Sequence, residues 1–127
     1  MAKLTLFAYA QGVDLEGVVD TLETRLDALV ASRSWVSKDV WVVNQRVPGD
    51  PPEWDLGLNV AVAPTRSRPP KWKDDVVAIA TAFGELHRDT GLRFVIGMHD
   101  GKTDTTKDLF VIDSHTPDLV RLVAALP

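Results

Sequence analysis

A chain of 127 residues with 14 Lys and Arg, 18 Asp and Glu, three His and no Cys has the size and balance of one folded domain. The absence of Cys excludes disulfides, thiol nucleophiles and zinc–thiolate sites, and the net charge of −4 argues against nucleic acid as a partner, because phosphate contacts need a basic surface. At 45% hydrophobic and 25% charged the composition is not that of a disordered segment, and no apolar stretch approaches the ~20 residues of a membrane span. Residues 4–10, behind the single Lys3, are too short for a signal peptide, so the expected setting is cytoplasmic, away from membranes.

The first expected strand covers residues 4–10, where Leu4, Leu6 and Ala8 alternate with Thr5, Phe7 and Tyr9; apolar groups on both faces mark an interior strand. Asp14 is the expected N-cap of a helix whose residues Leu15, Val18, Val19, Leu22, Leu26, Leu29 and Val30 share one face, with Glu16, Asp20, Glu23 and Asp27 opposite. A polar connection over 31–39 leads to a strand at 40–47, and Pro48, Pro51 and Pro52 then force a turn. Residues 54–63 alternate cleanly, with Trp54, Leu56, Leu58, Val60 and Val62 on one side and Asp55, Gly57, Asn59, Ala61 and Ala63 on the other. They should pair with 40–47 as an antiparallel hairpin with one buried face.

Residues 64–73 form a Pro-rich basic loop, and Asp74 or Asp75 should cap a second helix that ends at Gly91. Strands are expected at 92–99 and 109–113, separated by the polar span 99–108, with a type I′ or similar turn at Asp100-Gly101. Thr116-Pro117-Asp118 supplies an N-cap, a first-turn proline and an early acid for a last helix containing Leu119, Leu122 and Leu126. The expected fold is a single α+β domain over residues 1–127 with the order β-α-β-β-α-β-β-α. This is a ferredoxin-like split βαβ sandwich with an extra C-terminal strand and helix, a mainly antiparallel sheet and helices on one face. Its core should include Leu6, Val18, Leu22, Leu26, Leu58, Val60, Val62, Phe83, Ile96, Val111 and Leu122.

Catalytic and ligand signatures are weak. Between Gly97 and Gly101 lie three residues, where a phosphate loop needs four, and a β-rich run follows instead of a helix. Asp100, Asp104, Asp108 and Asp113 do not fit a calcium loop, since Lys102 and Val111 fall where ligands are required. His87, His99 and His115 stand 12 and 16 residues apart; His87 reads as a boundary residue, and His99 and Asp100 should point to opposite faces of a strand. No cofactor or metal is expected, and the balance is against an enzyme.

Charge and aromatic placement are more informative. Residues 99–118 carry five Asp, residues 14–27 carry five acids, and the loop at 64–73 carries four cations and no acid. Trp41 and Trp54 belong to strands and read as core or core-edge, whereas Trp35 and Trp72 lie in polar connections and are candidate anchors for a partner. The expected interface combines Asp100, Asp104 and Asp108, steering a basic partner, with Trp72, Trp35 and the flat sheet surface around Asn59. Such a profile fits a non-catalytic protein-binding module, of the immunity or inhibitor type that covers a toxin or another protein with a basic active-site cleft. The alternative is a ferredoxin-like small-ligand-binding or regulatory domain, and the third reading is a small enzyme using His99 and the Asp-rich loop. The flat sheet surface also leaves room for a homodimer.

Overall fold

The structure, a computed structural model, describes residues 4–12, 15–37, 39–49 and 53–127. In chain order it contains β1 (Leu4–Ala10), α1 (Val19–Ala31), β2 (Val40–Val47), β3 (Glu53–Val62), α2 (Trp72–Thr90), β4 (Phe94–Asp100), β5 (Thr105–Ile112) and α3 (Leu119–Ala125). The five strands form one sheet in the order β2-β3-β1-β4-β5, and every neighbouring pair is antiparallel. β1 therefore lies in the middle, as its two partly apolar faces require. Each helix connection skips one strand, so β3 slots between β1 and β2 and β1 between β3 and β4, which is split βαβ connectivity.

α1 lies over β2 and β3, α2 and α3 lie over β5, and α1 touches α2, which touches α3. The core fills the space between this helical layer and one face of the sheet. Leu6 and Ala8 of β1, Leu56, Leu58 and Val60 of β3, and Phe94 and Ile96 of β4 are buried there against Leu22, Leu26, Val76, Ile79, Phe83 and Leu122. Phe83 and Phe94 meet edge to face at 4.7 Å. Among the described residues, no helix is long and apolar enough to cross a membrane.

Several local expectations are corrected. α1 begins at Val19, after a turn at residues 16–18, and the proposed cap Asp14 lies outside the described residues. Val18 is only half-buried, because it sits at the entrance to that helix. α2 starts at Trp72, not after Asp74. Asp75 lies inside its first turn and caps nothing there; it is fully buried and accepts the Val36 N–H at 3.0 Å and the Ser37 N–H at 2.7 Å. Gly91 does close α2 in the left-handed region, with φ 74°. α3 is capped by Asp118, whose side chain accepts the Arg121 N–H, and not by Thr116.

The fourth and fifth strands run further into polar sequence than expected. β5 starts at Thr105, so residues 101–104 alone connect it to β4; Asp104, not Gly101, takes the positive φ of 51°. Val111 is 43% exposed because it pairs with Val95 on the helix-free face, while Phe110 and Ile112 face the core. Four consecutive apolar residues at 109–112 carry no alternation from which a phase could be chosen. The bulge that offsets Ile96/Phe110 from Gly97/Asp108 inserts Leu109 as the extra residue.

Candidate protein-binding face

The side of the sheet away from the helices is assembled from the odd-numbered residues of β1 to β4. Pairing sets Trp41 beside Asn59, Val43 beside Gly57 and Val47 beside Glu53. Asn59 and Gly57 in turn flank Phe7 and Tyr9, and Gly97 and Val95 continue the rows into β4. Phe7 and Tyr9 lie side by side with ring centroids 5.0 Å apart. Two glycines let the neighbouring strands fit against them. A Cβ at position 97 would fall 2.7 Å from Phe7 Cε2 and 2.6 Å from the Lys107 carbonyl, and one at position 57 would fall 2.9 Å from Tyr9 Cα. The Phe7 ring thus occupies room that the missing side chain at position 97 leaves, while Gly57 allows close approach of the β1 backbone.

Of the four most exposed large hydrophobic side chains among the described residues, three belong to this face: Trp41 at 41%, Val47 at 40% and Val111 at 43%. The strand side chains on this face include the acids Glu53, Asp55 and Asp108 and no Lys or Arg among the described residues. Phe7, Tyr9, Glu53, Asp55, His99 and Thr106 line a hollow of about 500 Å³. Its electrostatics are one-sided. Burial and the neighbouring Glu53 carboxylate both raise the pKa of Asp55, and burial together with Asp55 raises that of Tyr9, whose hydroxyl donates to Asn59 Oδ1 at 2.5 Å.

Four acids elsewhere have arginine partners. Asp89 meets Arg25 at 2.9 Å and Arg88 at 3.0 Å, which lowers its pKa. Glu85 meets Arg88 at 2.6 Å, Glu16 meets Arg46, and the buried Asp75 has Arg33 at 3.7 Å. Those arginines serve the helical layer and its edges, so the sheet face is left acidic.

The residues singled out from sequence are dispersed. Asn59 is central on the open face. Asp108 pairs with Gly97 and belongs to the same face, and Asp104 stands in the β4–β5 turn beside it. Asp100 ends β4 in register with Leu4, on the other phase of the strand, and accepts the Lys102 N–H at 2.9 Å, so it shapes the turn. Trp72 is not a surface anchor. It is 4% exposed, because α2 begins with it and the series Trp72, Val76, Ile79, Phe83 points one stripe into the core. Trp35 is half-buried and donates its indole N–H to the Val30 carbonyl at 3.0 Å, closing the end of α1 beneath Arg33. The reading of Trp41 as core or core-edge is corrected to an exposed position on the edge strand β2, since its phase of β2 looks away from the helices. Trp54, by contrast, is buried, with its N–H on Asn44 and the Arg46 guanidinium 3.8 Å above its ring.

His99 acquires partners that its sequence neighbours did not suggest. Thr106 Oγ1 lies 2.9 Å from its Nδ1, and Asp104 Oδ1 lies 3.6 Å from its Nε2. The row resembles a hydroxyl, imidazole and carboxylate relay, but it sits at a hairpin end with Asp104 93% exposed. At that distance and in water the carboxylate orients the ring weakly, and the hydroxyl lacks a desolvated base. Asp100 points away from this row, as the alternation requires. No group of three or more His, Asp and Glu among the described residues is placed to hold a metal ion.

Sequence reasoning missed Phe7, Tyr9, Glu53 and Asp55 as site residues. One signal was available: the polar phase of β3 ends in Asp55 and Glu53, and its Gly57 and Asn59 are too small to cover the aromatic phase of β1. Comparison of the chain with protein-family models, with curated proteins and with solved structures gave no match.

Proposed function

We propose that this chain is a non-catalytic protein-binding module that docks a basic partner on the helix-free face of its sheet. The observation that carries this reading is that Trp41, Val47 and Val111 lie exposed on the same sheet face as the Phe7 and Tyr9 pair, where the described strand residues include the acids Glu53, Asp55 and Asp108 and no arginine or lysine. Exposed large apolar side chains interspersed with polar groups on one face suit an interaction site, and one sign of charge selects the partner's sign. An immunity or inhibitor protein that covers the basic cleft of a toxin is one biological form such a module takes. A face whose described strand residues include three acids and no arginine or lysine disfavours a stack of two identical copies, because like charges would meet.

The test is co-purification from source cells with wild type and with a Trp41→Glu/Val111→Glu variant. A stoichiometric basic protein retained by the first and lost by the second supports the reading. Equal recovery by both removes the sheet face from the interface. A second reading, small-ligand binding, draws on a hollow of about 790 Å³ at the end of the sheet, where Leu4, Trp41 and Pro64 stand beside Arg68, Asp39 and Lys102. A thermal-shift screen of metabolites that stabilises wild type but not Arg68→Ala would favour it.

A further inference from the structure

Resting on the sheet-face reading, we infer that the hollow beside the aromatic pair is the receptor for a single arginine side chain of the partner, seated over Tyr9 and Phe7 with its guanidinium against Asp55 and Glu53. The hollow of about 500 Å³ is large enough for such a group and its surrounding water. Its composition is selective. Aromatic rings attract a cation through their faces, and a planar guanidinium combines that contact with forked hydrogen bonds to a carboxylate, which an ammonium cannot match.

The two acids here stand without the ion pairs that Glu16, Asp75, Glu85 and Asp89 have. Asp55 is partly buried beside another carboxylate, and no arginine or lysine among the described residues contacts either of them. His99 on the hollow's far side is turned to Thr106 and Asp104. Thr106 hydroxyl and Tyr9 hydroxyl add neutral hydrogen-bonding groups at the wall, and the Tyr9 bond to Asn59 holds its ring in place. A cation arriving from outside therefore relieves an unfavourable pair of charges and covers an aromatic surface in one step. Anionic and neutral apolar ligands would leave the two carboxylates facing each other.

The experiment uses the full chain and two synthetic peptides, acetyl-Gly-Arg-Gly-Arg-Gly-amide and the same peptide with citrulline for arginine, titrated calorimetrically at low salt. Citrulline keeps the shape and removes the charge. The expected result is that the arginine peptide binds at least 10-fold tighter than the citrulline peptide, and that Asp55→Asn weakens it at least 5-fold while Asp27→Asn, an equal loss of charge on the exposed side of α1, changes it less than 2-fold. Equal affinity for the two peptides overturns the proposal without need of any variant. Equal losses in Asp55→Asn and Asp27→Asn also overturn it, because the peptide would then be sampling net charge. If a basic partner recovered by co-purification is lost with Trp41→Glu/Val111→Glu yet binds Asp55→Asn as well as wild type, the sheet face stands and the arginine pocket falls. If neither substitution matters to that partner, both fall.

Discussion

The Phe7 ring fills the space that a side chain at position 97 would occupy, with Cε2 only 2.7 Å from where that Cβ would stand. This relationship couples a central strand to its neighbour on the helix-free face and sets the floor of the hollow. Gly97→Ala must displace the ring or the Lys107 carbonyl, and overpacking of this kind costs about 1–3 kcal/mol. A Phe7→Ala/Gly97→Ala double variant should recover part of that loss, since the ring is then gone. Urea denaturation of the two single variants and the double variant would measure the coupling; additive losses would mean that the two positions do not contend for the same space.

Asp75 should be the most sensitive polar residue of the chain. It is fully buried and holds the Val36 and Ser37 N–H groups, tying the connection between α1 and β2 to the first turn of α2. Asp75→Ala leaves the buried Ser37 N–H and the half-buried Val36 N–H unpaired, the buried one alone worth roughly 1–3 kcal/mol. The drop should appear in chemical denaturation as a lower midpoint. A loss below 1 kcal/mol would show that water replaces the carboxylate there.

Asp55 and Asp89 should respond to pH with opposite signs. The folded state raises the Asp55 pKa above its ordinary 3.8 through burial and Glu53, so the native protein binds that proton more tightly than the unfolded chain and loses stability as the pH rises through this range. Asp55→Asn should therefore raise the thermal midpoint at neutral pH, with the gain vanishing below about pH 3.8. Asp89 is lowered by its hydrogen bonds to Arg25 and Arg88, so its stabilisation is present above 3.8 and is lost as the pH falls through its folded pKa. Asp89→Asn should accordingly lower the midpoint at neutral pH, by a small amount because the pair is exposed. Melting curves across pH check both signs.

Asp104 and Asp108 flank the proposed interface at its rim, where charges govern approach more than residence. With a basic partner, Asp104→Asn/Asp108→Asn should slow association and flatten its salt dependence while the dissociation rate stays within about 2-fold. Asp100 is left intact in this variant because its hydrogen bond to Lys102 shapes the turn. Unchanged association rates and salt slopes in stopped-flow measurements would take this hairpin out of the encounter.

Periodicity and punctuation in the sequence were enough to determine the α+β class, the order of eight elements, the interior position of β1 and the buried phase of β3. These follow from local rules: β3 alternates strictly, α1 carries one apolar stripe, and Gly91 stops α2. Long-range pairing alone decided which phase of β2 and β5 faced the helices. Val40 to Val43 and Leu109 to Ile112 are apolar at every position, so the energy of burying either phase is similar until β3 and β4 impose their register. Trp72 and Trp41 exchanged roles for the same reason: a helix that starts at residue 72 turns its first side chain inward, and a strand paired with Asn59 turns Trp41 outward. The hollow among Phe7, Tyr9, Asp55 and His99 gathers residues from three strands far apart in the chain, and only the order β3-β1-β4 brings them onto one surface, where two carboxylates stand beside two aromatic rings.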